Sequence, residues 1–145
     1  MATPLLIAKN SLTLASAKKI AEAAEHFATG KACAVVVAIV DAGGNAILIQ
    51  RMDDAPIGSV TVASDKARTS VIFKAPTKVF EAGLSAGVTS FLKLDILPFA
   101  GGVPLVANGS IVGAAGISGC SASSEDAEVA EAGARWFSNA ISAES

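Results

Sequence analysis

The chain has no tyrosine, one tryptophan, one histidine and two cysteines, and only 17% of its 145 residues are charged. Each scarcity excludes something. Aromatic residues make up 5% and the formal net charge is −2. That leaves neither the stacking surface nor the basic excess of a general nucleic-acid binder. A single imidazole, His26, rules out a two-histidine metal site and any Ser-His-Asp triad built on another histidine. Cys33 and Cys120 stand far apart with no metal-ligand spacing, and the expectation is two buried free thiols, with one disulfide, unnecessary at this length, as the alternative. No run approaches the roughly 20 apolar residues that span a bilayer, so no membrane partner is expected. The N-terminus lacks the basic and long apolar regions of a secretory signal, and the cytoplasm is the expected location.

What is present is apolar: 52% hydrophobic residues, much of it alanine, with 13 glycines. Soluble domains average about 25% charge, so a surface this poor in charge predicts burial against further copies, a homo-oligomer of two or more chains. No repeat or linker divides the chain. Residues 1–145 read as one domain, with 1–10 as an N-terminal extension.

The spacing predicts a helix over Leu14–Thr29, with Ile20, Ala23, Ala24 and Phe27 on one face. Lys18, Lys19, Glu22, Glu25 and His26 lie opposite. Thr13 is the expected cap, and Gly30 the expected left-handed terminator. Ala32–Asp41 reads as a strand covered on both faces, and Ala46–Arg51 as its hairpin partner across a Gly43-Gly44 turn. Helices follow over Ser59–Phe73 and from Thr77 to about Ala82, with a short helix near Val88–Leu92. Val103–Ala107 and Ile111–Ser118 flank Asn108-Gly109, a type I′ hairpin signal. A last helix runs from Ser124 to about Ile141, capped by Ser123 or Ser124. The order helix, hairpin, helices, hairpin, helix predicts an α+β fold, an antiparallel sheet flanked by helices.

Several residues stand out as site candidates. Lys66 shares a helical stripe with Val62, Thr69 and Phe73. It can snorkel, face a subunit interface, or line a pocket as a base or anion binder. Arg51-Met52-Asp53-Asp54 can orient a polar substrate or form an internal ion pair. Phe99-Ala-Gly101-Gly102 is a loop whose amides can hold an anion or simply turn the chain. Gly113-Ala-Ala-Gly116-Ile-Ser118-Gly119 fits neither the dinucleotide nor the nucleophile-elbow motif. Its glycines admit a second backbone or a flat ligand. His26 is the one natural haem-iron ligand, on a charged helix face.

The ordered set of Val35–Asp41 with Gly43-Gly44, Arg51-Met52-Asp53, Ser59 with Lys66-Ala67, Gly101-Gly102-Val103-Pro104, Gly113–Gly119 and Asp126 with Ala130 resembles the GlcG/HbpS family of haem-binding proteins. That family is related to the C-terminal domain of PduO-type proteins. The resemblance implies a five-stranded antiparallel sheet, with the fifth strand around Ile96–Ala100. It also implies oligomers and haem as a cofactor. Arg51, Lys66, Phe99, Gly101, Gly102, Gly116 and Ser118 are then the ligand-contacting candidates and His26 the candidate iron ligand. The alternative is a cofactor-independent isomerase, lyase or hydrolase of a small carboxylate-bearing metabolite in a catabolic pathway. Lys66 or Asp53 would serve it as acid or base.

Overall fold

A computed structural model describes residues 2–144. The element order is α1 (Leu14–Gly30), β1 (Val36–Asp41), β2 (Ala46–Arg51), α2 (Ser59–Phe73), α3 (Lys78–Ser85), a 3-10 turn (Thr89–Lys93), β3 (Gly102–Ala107), β4 (Ser110–Ser118) and α4 (Ser123–Glu144). The strands form one four-stranded antiparallel sheet in the order β2-β1-β4-β3. Helices α1 and α4 pack on one face and α2 on the other.

Strand β1 explains the layering. Val35, Val37 and Ile39 point into the core shared with α1 and α4. Val36, Ala38 and Val40 point to α2. All are buried, as a strand apolar on both sides requires. Helix α1 begins as its sequence predicts, with Thr13 Oγ1 accepting the Ser16 N–H at 3.0 Å. It ends differently. Gly30 stays helical, Lys31 caps, and Ala32 takes the left-handed conformation at φ 57°. The β3–β4 hairpin turns on Asn108 and Gly109, with φ 52° and 78°, the positive angles a type I′ turn needs.

The fifth strand does not exist. Residues 96–100 carry no ladder. Two of their amides are claimed by side chains, and the Phe99 N–H turns back to the Leu97 carbonyl. The Leu97 N–H donates to Thr69 Oγ1 at 3.0 Å, and the Ala100 N–H to Glu81 Oε2 at 2.8 Å. Ser123 likewise does not cap α4; its hydroxyl donates to Glu81 Oε1, and the first amides of the helix bond to the Ala122 carbonyl.

The cysteines are not free thiols. Cys33 and Cys120 form a disulfide with a Cα–Cα distance of 5.1 Å. Sheet register explains it. Val36 pairs with Ser118, so the residues just before β1 and just after β4 are neighbours.

The β1–β2 turn carries a pH dependence. Asp41 Oδ1 accepts the N–H groups of Gly43 and Asn45, each at 2.9 Å, and Asn45 Nδ2 also donates to the carboxylate. The Asn45 amide above all holds the Asp41 carboxyl below its usual pKa. A lowered folded value means stability fully present above the ordinary aspartate pKa, about 3.9, and lost as pH falls through the lower folded one. Solvent screening keeps the effect under about 1 kcal/mol. Acid unfolding of Asp41→Ala beside the parent measures it; the variant should lose this part of the decline below about pH 4.

Candidate functional site

Strand β4 and helix α2 meet at a wedge that gathers many of the residues singled out by the sequence. Lys66 lies inside it, only 2% exposed. Its Nζ donates to the Ile117 carbonyl oxygen at 2.9 Å and to Asp126 Oδ2 at 3.0 Å. Asp126 Oδ1 accepts the Cys120 N–H at 2.9 Å. The ion pair therefore ties α2, the end of β4 and the first turn of α4 together. Burial pushes the Asp126 carboxyl above the ordinary carboxylate range, against the pull of the Cys120 amide and of Lys66.

Small residues let α2 come this close. A Cβ on Gly116 would overlap the Ala63 carbonyl and stand 2.6 Å from the Ala67 amide nitrogen. One on Gly102 would collide with the Lys66 carbonyl and reach Thr77 Cγ2 at 2.8 Å. Gly101, at φ 128°, leaves room for the lysine itself; its Cβ would lie 2.8 Å from Lys66 Nζ. The space left by these missing side chains is thus filled by helix backbone and by Lys66. The nearby polar groups are engaged as well. The Gly102 N–H donates to Thr77 Oγ1 at 2.8 Å, and the Ser118 hydroxyl donates to Ser59 Oγ at 3.0 Å.

The remaining candidates lie apart on the surface. Arg51 ends β2, exposed, and forms no ion pair among the described residues with Asp53, Asp54 or any other carboxylate. Asp53 is exposed in the turn that follows. Phe99 is 49% exposed. His26 is exposed on the outer face of α1 and has no hydrogen bond or ion pair among the described residues. Neighbouring Glu25 is held by Gln50 Nε2 at 2.5 Å, and burial raises its pKa.

Two clefts open at opposite ends of the sheet. The larger holds about 490 Å3 between the N-terminal segment, the C-terminus of α2 and the β3–β4 turn. Val71, Ile111 and Val112 form its apolar wall, and Lys9 and Lys74 are its cations. No acidic residue lines it. A carboxylate-bearing molecule suits it. The smaller holds about 330 Å3 beside Cys33 and Cys120. Neither is lined by Lys66, Gly116, His26 or Arg51. Reading the sequence missed Asp126 as the partner of Lys66, the disulfide, and the Lys9–Lys74 pair. Separations of 60 residues for the ion pair and 87 for the disulfide leave no local signal.

An iron porphyrin needs an axial donor, an apolar wall and cations for its propionates. His26 fits the iron: it is accessible and free to bond. The wall and the cations sit in the larger cleft, which His26 does not line. One chain holds the parts without joining them.

Comparison with known proteins places this architecture. Residues 12–135 match the family described as haem degrading protein HbpS-like. An uncharacterised 15.0 kDa protein of Citrobacter freundii, from the dhaT-dhaS intergenic region, is 39% identical over 114 residues, 75% of this chain and 80% of that protein. A double mutant of Streptomyces reticuli HbpS superposes with a TM-score of 0.83 at 34% identity, covering 94% of this chain and 98% of that one. PduOC, solved as a complex with haem, superposes with a TM-score of 0.77 at 30% identity, over 87% of this chain and 94% of that one. Among the described residues no helix is long and apolar enough to cross a membrane. With the ordered glycine and strand motifs, the four-stranded sheet and this match over most of its length, the chain belongs to the HbpS-like family.

Proposed function

We propose that this protein binds and handles haem as a homo-oligomer, in which His26 would hold the iron and a second copy would cover the ring. The observation that carries the reading is the likeness to PduOC, whose structure contains haem. Two features of this chain support it. His26 is the sole histidine and is exposed without a partner. Leu5, Leu6 and Ile7 are 99%, 88% and 71% exposed, an apolar stretch suited to burial against another copy. When bound, haem supplies an iron centre for ligand or redox chemistry. The chain's own part is to hold the metal through an imidazole and to exclude water from the ring.

Titration with haemin, followed at the Soret band, tests this. The parent is expected to saturate with a shifted Soret band, and His26→Ala to bind at least about tenfold more weakly, a loss of about 1.4 kcal/mol. An unchanged His26→Ala titration removes the iron-ligand role. A parent that leaves the haemin spectrum unaltered removes the function. Sedimentation of the same samples should show more than one chain per particle, and a monomer at all concentrations would contradict the covered ring.

A further inference from the structure

The Cys33–Cys120 bond stands at the wall of a cleft. That cleft, about 330 Å3, is also lined by Lys31, Asp54, Ser121 and Glu125. Cys33 is nearly buried and Cys120 half-buried, so a sulfur nucleophile arriving from solvent meets Cys120 first. From Cys120 a continuous chain of bonds runs inward. Its N–H donates to Asp126 Oδ1 at 2.9 Å, and Asp126 Oδ2 holds Lys66 Nζ at 3.0 Å. Lys66 in turn donates to the Ile117 carbonyl. The accessible disulfide is thereby linked to the buried ion pair that fastens α2 and α4 to the sheet. Its cation, Lys31, is already paired with Glu128, so Asp54 and Glu125 set the charge of the cleft and suit the ammonium group of a small amino-acid thiol.

We infer that this cleft is a thiol–disulfide exchange site for a zwitterionic low-molecular-weight thiol, and that its redox state is transmitted to the Lys66–Asp126 pair. The inference goes beyond haem binding and does not depend on it. The small thiolate attacks Cys120 Sγ. A mixed disulfide forms there, the protein S–S bond breaks, and Cys33 leaves as a thiolate that takes a proton. A second small thiolate then attacks the small-molecule sulfur of the mixed disulfide. Cys120 leaves as a thiolate and is protonated, and the two small thiols depart joined as their own disulfide. Two electrons pass from the thiols to the protein, and the two protons they give up balance those gained by the cysteines. The same steps reversed, with the small disulfide as oxidant, restore the bond.

The test uses the full, oxidised chain without haem and reduced glutathione as the probe. Reaction is stopped with acid, and thiols and adducts are counted by intact mass after alkylation. Two protein thiols should appear, at a rate rising about tenfold per pH unit below the thiol pKa of about 8.5. One molar urea should leave that rate within about twofold. If exchange waits for global unfolding, the same urea raises it about tenfold, and the site reading is overturned. Two free thiols persisting after treatment with diamide overturn it too. Peptide mapping of the acid-trapped parent should find the adduct on Cys120; an adduct confined to Cys33 reverses the proposed attack. Cys33→Ser, if it folds, has a free Cys120 thiol; given oxidised glutathione it should accumulate that Cys120 adduct with release of one reduced glutathione, and the trapped parent answers the question even if the variant does not fold. Hydrogen exchange at the Cys120 amide should speed at least about tenfold on reduction. Unchanged protection breaks the link to the ion pair.

Discussion

Gly116→Ala is expected to cost the fold about 3 kcal/mol or more, enough to leave a marginal domain largely unfolded. Gly116 lies in β4 opposite Ala38 of β1 and Gly102 of β3, facing α2. The added methyl would overlap the Ala63 carbonyl and crowd the Ala67 amide. Both are helix backbone atoms, which cannot rotate aside as a side chain can. Helix α2 must lift away, and the packing of Val36, Ala38 and Val40 against Ala63, Ala67 and Val71 opens with it. Urea unfolding followed by circular dichroism measures the loss; a midpoint equal to that of the parent would refute the close approach. Gly30→Ala is the control. A Cβ there meets nothing within 4 Å, and the residue is helical without positive φ. The same chemical change should raise stability by about 0.5–1 kcal/mol.

Lys66→Ala should lose about 3–5 kcal/mol, because it strands a buried carboxylate and leaves the Ile117 carbonyl without its donor. The cost is that of breaking the pair rather than the net worth of having it. Combining Lys66→Met with Asp126→Asn removes both charges and keeps an acceptor for the Cys120 amide. The double variant should therefore recover at least half of the loss. A double-mutant cycle in urea gives the coupling. A Lys66→Ala protein within about 1 kcal/mol of the parent would show that the pair holds nothing together.

Much of the architecture is legible residue by residue. The Ala46–Arg51 strand, the Ser59–Phe73 helix and the Asn108-Gly109 hairpin stand where their patterns put them. So does the two-sided burial of β1. These features rest on side-chain period and turn chemistry, which act within a few residues. Helix α1 shows the limit even of local signals. Gly30 reads as the left-handed terminator, yet Ala32 takes that angle; the chain folds back there so that the Cys33 N–H reaches the Ala28 carbonyl at 2.9 Å. The Ile96–Ala100 segment is apolar enough for a strand. Its Leu97 and Ala100 amides nevertheless go to Thr69 and Glu81, side chains on α2 and α3 that no window around residue 98 contains.

The candidate site divides in the same way. The family resemblance grouped Arg51, Lys66, Phe99, Gly101, Gly102, Gly116 and Ser118 around one ligand; Lys66 and the glycines with Ser118 converge around α2 and β4, whereas Arg51 and Phe99 lie apart on the surface. What the convergence holds was decided by tertiary structure. Insertion of β4 between β1 and β3 brings α2 down onto its glycines and turns Lys66 toward Asp126. The same strand order sets Cys120 beside Cys33. The amino-acid sequence by itself determined the elements, the apolar excess and the family motifs, because dihedral preference and hydrophobic period are local properties. Only the tertiary structure paired the lysine, the carboxylate and the cysteines, because those contacts depend on which strands lie side by side and not on any spacing along the chain.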